Sequence, residues 1–550
     1  MTAPALAEYR SAVAESRDAR LHNEDLAPVP ADARTWGMWH IAALWVGMCV
    51  CIPTYQLAAD LVREGMAWWQ GVLTVTLANA IVLLPMVLNA HAGTKYGIPF
   101  PVFARASYGV VGANVAAVLR AIVACGWFGI QTWFGGKALF ELCNVLRTGA
   151  PLFDSLPLAG SAAAGEAGWQ LWLALGIAPG ELLCFFVFWL VNVFFIWKGT
   201  ESIKWMETLA APFLIVAGLV LLIWAVVRVG SLGTILSGGS RFKTNAEFWR
   251  VFFPSLTANV GFWATLSLNI PDFSRFAKNQ REQVLGQAIG LPPTMALFAF
   301  IGVAVTAATP HMFGEVISDP VTLLAKVGGL VTTIVAMIAL SLATLSTNIA
   351  ANVVSPANDF ANLRPDKISY KMGGYITAVI GVLILPWKLL AAAGTYLFIW
   401  LIGYSALLGP IGGVLIVDYF VLRKKELIVE DLYRRGGAYE YDGGVHRSAL
   451  VATLLGMLPN VPGFVFTLYA GGVRGRPDYL AGLAARKGEG LAAFADVAMS
   501  VYDYAWFVGF GLAALAYWLL GKERVLAGIA AHKAATAASG AEAPRVADVA

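Results

Sequence analysis

Long apolar runs separated by short polar or charged segments dominate the chain. A helix needs about 20 residues to cross the hydrocarbon core of a bilayer. Twelve runs reach that length, at 36–59, 68–89, 111–144, 169–197, 203–228, 251–271, 284–309, 329–356, 371–390, 394–422, 447–471 and 498–520. The two longest connections, Arg423–Arg447 and Val473–Asp503, are short and rich in glycine and charge, which predicts loops with at most a short helix. The fold class expected is an all-α integral membrane protein of about twelve transmembrane helices.

Two runs are interrupted. Span one carries Cys-Ile-Pro-Thr-Tyr at 51–55, and span six carries Ala-Asn-Val-Gly-Phe-Trp at 258–263 followed by Pro271. Proline removes a helical hydrogen bond, and in lipid the freed carbonyls must face protein or a water-filled cavity. Broken spans at matching places in two halves point to a transporter site, with simple proline kinking as the alternative. Here they open two blocks of five spans, 36–228 and 251–422, and an odd number of spans turns the second block upside down. The expected organisation is an N-terminal tail (1–35), a first repeat (36–228), a loop (229–250), a second repeat (251–422), a loop (423–446), two further spans (447–520) and a C-terminal tail (521–550).

Composition narrows the picture. The chain is 58% hydrophobic and 13% charged, against roughly 45–50% and about 25% in a soluble domain, so a soluble protein is excluded and the lipid bilayer is the first partner. A scattered net charge of +4 without a basic stripe leaves no footprint for nucleic acid. No obligatory protein partner is evident. Cys49, Cys51, Cys125, Cys143 and Cys184 all lie in apolar surroundings and read as small buried hydrophobes rather than a disulfide or metal set. The first 34 residues lack the apolar core of a signal peptide and read as a soluble tail. Lysine and arginine counts place both termini and the 423–446 loop in the cytoplasm of a multi-pass cell-membrane protein, and the 229–250 loop outside. Arg228, Arg241, Lys243 and Arg250 dissent.

Polar groups inside the spans carry the candidate chemistry. Trp127 and Gln131 of span three stand four apart and share a helix face. An aromatic plane beside an amide suits a flat heterocycle with carbonyls and ring N–H groups; a packing tryptophan and an interhelical glutamine are the plainer alternative. In span eight Ala343 and Thr347 share a face with Ser346 adjoining, and Asn348 and Asn352 form another four-residue pair. Hydroxyl and carbonyl oxygens suit a hard cation such as Na⁺, and carboxamides suit a substrate amide. Interhelical hydrogen bonding is the alternative. Lys137 and Glu141, four apart on span three, are expected to neutralise one another; Arg120, Glu181 and Glu207 receive no role. No catalytic triad, zinc-like spacing, phosphate-binding glycine loop or haem motif is present, so an enzyme and ATP-driven transport are not expected.

Four motifs resemble the nucleobase:cation symporter-1 family of uracil, allantoin, hydantoin, cytosine and purine permeases. They are Gly-Trp-Phe-Gly-Ile-Gln at 126–131, Lys-Gly-Thr-Glu-Ser-Ile-Lys-Trp-Met-Glu at 198–207, Gly-Phe-Trp-Ala-Thr-Leu-Ser-Leu-Asn-Ile-Pro-Asp at 261–272 and Ser-Thr-Asn-Ile-Ala-Ala-Asn at 346–352. The likeness runs from about Asn23 to about Arg447. It implies a five-plus-five inverted repeat with broken helices one and six and two additional helices. By that resemblance Trp127 would stack on one face of the ring, Gln131 would hydrogen-bond its edge, Trp263 would close the other face and Asn352 would supply a second amide. Backbone oxygens of Gly47, Val50 and Ala343 with the hydroxyls of Ser346 and Thr347 would form a sodium site. Where the family's hydantoin carriers have a substrate-contacting glutamine, span one holds Cys51, a weak donor and acceptor. The Cys-Ile-Pro-Thr-Tyr run and the Phe262-Trp263 pair resemble the allantoin and uracil branch instead.

The function implied is import of a small heterocycle, allantoin or uracil first and then hydantoin, cytosine or purine. It would run by Na⁺ or H⁺ symport with alternating access and no other cofactor. A carrier of the same architecture for amino acids or another small solute is the second reading. A channel is the third, although no ring of like charges or repeated carbonyl filter supports it.

Overall fold

The computed structural model describes residues 18–146, 154–157, 167–198, 200–327, 330–390 and 399–539, without the side chains of 167, 200–211, 214, 332 and 535–539. The 198–207 motif and Glu207 therefore fall largely outside the described side chains. Helices account for nearly all of the fold, and the described residues contain only two isolated bridges, Trp36 to Ala277 and Asp442 to Val445.

Span one is two helices, Met38–Cys49 and Ile52–Arg63, meeting at 59°. Pro53 sits in the first turn of the second helix, where its missing N–H is tolerated, and extended Cys51 caps that helix. Span six is also interrupted, into Asn245–Phe262, Ala264–Asn269 and Pro271–Ser274, with Trp263 between the first two. A short helix follows the second span of each repeat, Phe100–Tyr108 after Trp68–Tyr96 and Pro320–Lys326 after Gln280–Phe313. Spans three (Ala113–Leu146) and eight (Leu330–Asn352 with Val354–Leu363) pack along each other, and span seven lies against spans one and two. The architecture is the all-α, five-plus-five inverted repeat with two added helices.

By length and apolarity alone, eight helices and the one bent pair qualify as spans among the described residues. The other three of the twelve fall short for separate reasons. Span five is apolar over the shorter stretch Ile215–Val229, span six is cut at Trp263, and span nine is the 14-residue helix Tyr370–Leu383. Exposed apolar residues form stripes at helical spacing, as in Val331, Val335, Ile338 and Leu342 of span eight or Leu183, Val187, Leu190 and Phe194 of span four. Such stripes would be a liability in water and are what lipid requires.

Three expectations change. The 169–197 run is two helices, Ala167–Leu175 and Pro179–Lys198, because Gly176 takes a left-handed conformation (φ 74°) ahead of Pro179. The 473–503 connection holds two full helices, Arg476–Lys487 and Glu489–Tyr502, whose apolar faces close on Phe466 and Ala470 of span eleven. The last helix then runs from Ala505 to Ser539, well past residue 520. Spans eleven and twelve pair antiparallel through small residues: Ser448 Oγ donates to Leu520 O at 3.0 Å, and Gly456 abuts the backbone of Gly509, while Gly463 abuts Ala498 of the Glu489–Tyr502 helix.

The N-terminal segment is also not a free tail over its described part. Leu21 and Leu26 are buried, and the stretch from Asp18 to Arg34 is strapped across one face of the bundle. Arg105 donates to Leu21 O at 2.7 Å and to Leu432 O at 2.9 Å, Arg275 to Asp25 O at 2.9 Å, and Tyr433 to Leu26 O at 2.7 Å. Burial pushes the Arg105 guanidinium down to about 10, which still leaves it charged at neutral pH.

Candidate functional site

The four-residue spacing in span three carries Trp127 and Gln131 into the same buried region, 5% and 2% exposed. The Trp127 indole meets the Phe262 ring edge-on, centroids 5.2 Å apart, and its Nε1 donates to the Tyr404 hydroxyl at 3.3 Å. Trp400 joins the group, 6.4 Å from Trp127 and 5.2 Å from Tyr404. Sequence reasoning missed Trp400 and Tyr404, although they stand at the same four-residue spacing in span ten.

The two aromatic residues at the span-six break touch each other edge-on, centroids 4.9 Å apart, and each meets a different neighbour. Phe262 faces Trp127, whereas Trp263 packs edge-on against Trp45 of span one at 5.3 Å. The structure thus brings Phe262, rather than Trp263, against Trp127. The Trp263 Nε1 is buried without a hydrogen-bond partner.

Gln131 Oε1 is likewise buried and unpartnered. Leaving a buried polar atom unpaired costs about 1–3 kcal/mol, which a ligand donor would recover. At the span-one break the Cys51 thiol contacts Thr54 Oγ1 at 3.3 Å. On span eight, Asn352 donates to Asn348 Oδ1 at 3.0 Å, and Asn348 in turn donates to Thr132 Oγ1 at 3.2 Å. These bonds bind spans three and eight together beside Trp127 and Gln131.

The cation candidates converge on the other break. Thr347 Oγ1 donates to Gly47 O at 3.1 Å, at the carbonyl end of Met38–Cys49. Helix C-termini carry partial negative charge, so this end together with buried Ser346 and Ala343 offers a neutral, oxygen-rich place that suits a hard cation. Val50 and Ala343 line a neighbouring cavity of about 120 Å³ with Cys51, Tyr55, Leu221, Pro320 and Leu324. Its lining is almost wholly apolar, and Trp127, Gln131, Trp263 and Asn352 are not part of it.

The ionisable residues sort into structural pairs. Lys137 pairs with Asp319 of the Pro320–Lys326 cap, not with Glu141. Glu181 accepts from Ala178 N at 2.9 Å and caps its helix. Arg120 meets Asp359 of span eight at 3.3 Å, both side chains fully buried.

Comparison with known proteins completes the description. Residues 28–509 match a family described as permease for cytosine/purines, uracil, thiamine, allantoin. The chain is 45% identical over 505 residues to the purine-uracil permease of Arabidopsis thaliana, covering 92% of this chain and 78% of that relative. It is 41% identical over 504 residues to the allantoin permease of Bacillus subtilis, covering 91% and 93%. Its fold matches, at a TM-score of 0.70 and 23% identity over 92% of this chain and 96% of the other, the closed structure of a nucleobase-cation-symport-1 family transporter with bromovinylhydantoin bound.

Proposed function

The chain belongs to the permease family for cytosine/purines, uracil, thiamine and allantoin, and from that premise we propose that it imports uracil or allantoin by cation symport. It is a membrane transporter, not an enzyme. The ring binds between spans one, three, six and eight, against Trp127 and Phe262, with Gln131 and Asn352 on its edges. Trp263 and Cys51 bound the site at the two breaks. The observation that carries this reading is the buried, unpartnered Gln131 Oε1 beside Trp127 and Phe262. Its place beside two aromatic rings, where a ring N–H would complete it, is what singles it out among the buried polar atoms.

The coupling ion binds at Gly47, Val50, Ala343, Ser346 and Thr347. The contact of Thr347 with the carbonyl end of the first half-helix supports this placement. A neutral ring gains nothing from the membrane potential, whereas one co-transported charge crossing about 100 mV supplies roughly 2.3 kcal/mol, or about fifty-fold accumulation. Na⁺ is the ion favoured by the neutral oxygen set, with H⁺ as the other outcome. The protein sits in the cell membrane with both termini in the cytoplasm, its first repeat at 36–228 and its second at 251–422.

Uptake of labelled uracil and allantoin into proteoliposomes, under an imposed Na⁺ or H⁺ gradient, tests the proposal. Gln131→Ala should weaken binding about five- to a hundredfold at unchanged folded yield. Wild-type affinity in Gln131→Ala would remove span three from the site. Uptake that ignores Na⁺ and collapses with a protonophore would refute sodium coupling.

A further inference from the structure

Asn352 stands at the end of a row of three carboxamides whose orientation is fixed away from the ring. Asn192 of span four donates Nδ2 to Phe188 O at 2.8 Å. Asn348 donates Nδ2 to Phe128 O at 3.3 Å, to Thr132 Oγ1 at 3.2 Å and to Asn192 Oδ1 at 3.0 Å. Asn352 donates Nδ2 to Asn348 Oδ1 at 3.0 Å. All three side chains are buried.

The two ends of an amide look alike, and only the bonding network tells them apart. Here backbone carbonyls decide, because a carbonyl can only accept. The atoms facing Phe188 O and Phe128 O are therefore the NH₂ groups of Asn192 and Asn348. Thr132 Oγ1 already donates to Phe128 O at 2.7 Å, so it too can only accept from Asn348. Asn348 must turn its oxygen to Asn352, and Asn352 must answer with its NH₂. Flipping Asn352 would set two oxygens against each other and break a buried bond.

We infer that Asn348, braced by Phe128 O and Thr132, is a positioning residue that holds Asn352 as a hydrogen-bond acceptor, so that the ring edge meeting Asn352 must carry an N–H. This rests on the reading that Asn352 lines the ring site. The unpartnered Gln131 Oε1 offers a second acceptor of the same sense. Recognition is thus tuned to lactam, imide or ureide N–H groups, and a ring nitrogen without hydrogen is refused at that edge.

The test is competition binding on the purified wild-type protein against labelled uracil and labelled allantoin, with cytosine and the 1-methyl and 3-methyl derivatives of each as competitors. In the wild type one methylated position should bind about five- to a hundredfold more weakly than its parent, the effect of stranding a buried acceptor. In Asn348→Ala, Asn352 is free to turn and present its NH₂, so cytosine, whose N3 carries a lone pair where uracil has an N–H, should bind within about threefold of uracil, whereas the wild type should keep it about five- to a hundredfold weaker. Asn192→Ala leaves Asn348 held by Phe128 O and Thr132 and should keep the wild-type penalty against cytosine. An equal cytosine penalty in folded Asn348→Ala and wild type would overturn the inference. So would a wild type indifferent to methylation at every position, a result that needs no variant. Binding of neither parent ring would remove the reading on which the inference rests, and the inference with it.

Discussion

Two ion pairs tie span three to the second repeat, and they could hardly be built more differently. Arg120 meets Asp359 on the side that carries the N-terminal strap, and neither side chain has any exposed surface. Lys137 meets Asp319 on the opposite side, with the two side chains 26% and 20% exposed. A buried pair is held by its surroundings, because removing one partner strands the other charge away from water. A wet pair contributes little and opens at little cost. The strapped side thus carries a fully buried tie, and the far side a wetter one that acts as a latch by comparison. The apolar cavity behind Cys51 lies on the latch side, under the Pro320–Lys326 helix that carries Asp319 as its N-cap.

The largest test of this contrast is Arg120→Ala, which should cost about 3–5 kcal/mol of stability, seen as a lower Tm in detergent. Replacing both partners, as Arg120→Met with Asp359→Leu, should recover most of that loss, because an apolar pair leaves no charge stranded. An unchanged Tm in Arg120→Ala would dissolve the distinction between the two sides.

Cys51 lies between the pairs, and Cys51→Gln separates two roles for it. If the thiol lines the ring site, uracil, allantoin and a hydantoin should change their order of competition at normal yield. If it only packs, the larger side chain overfills the core at about 1–3 kcal/mol and the order stays, with Cys51→Ser behaving as wild type. Thr347→Ala should act at about 1 kcal/mol, raising the Na⁺ needed for half-maximal uptake. By reciprocal linkage it should weaken ring binding at fixed Na⁺. Affinity independent of Na⁺ in both proteins would put the ion elsewhere.

The smallest effect is expected at the latch. Lys137→Ala should change stability by no more than about 1 kcal/mol. It should nevertheless speed labelling of Cys51 by a membrane-impermeant maleimide added to the far side, whereas the Arg120→Met and Asp359→Leu protein should not. Equal labelling rates in all three would show that Lys137 does not hold the far side shut.

Much of this was legible in the sequence because lipid permits so few structures. A backbone in hydrocarbon must be helical or be sheltered, so the apolar runs read directly as spans, and Pro53 and Pro271 read as breaks. The Trp127 and Gln131 pair was legible for a similar reason, since a single helix fixes the angle between residues four apart. Contacts between elements were not. Which of Phe262 and Trp263 would face Trp127 depends on the backbone at the break, where Trp263 leaves the helical phase (φ −104°, ψ 9°). Lys137 chose Asp319, 182 residues away, over Glu141 one turn along, and no local spacing encodes that choice. Asn192, a lone amide in an apolar run, gave no sign of its partner in span eight.

The N-terminal strap has a consequence for how such chains diverge. Arg105, Arg275 and Tyr433 grip it by the backbone oxygens of Leu21, Asp25 and Leu26. A carbonyl is the same whatever residue bears it, so these grips are blind to the identity of the residues they hold. Some side chains are held as well: Leu21 and Leu26 are buried, His22 packs edge-on against Tyr433, Asn23 donates to Pro365 O and Ile368 O, Asp25 accepts from Tyr370 N, and Arg34 donates to Thr94 O; the positions between them are free to drift over evolutionary time so long as the length is kept. Substitution there should be nearly silent, whereas a deletion of two or three residues would pull every oxygen off its donor at once.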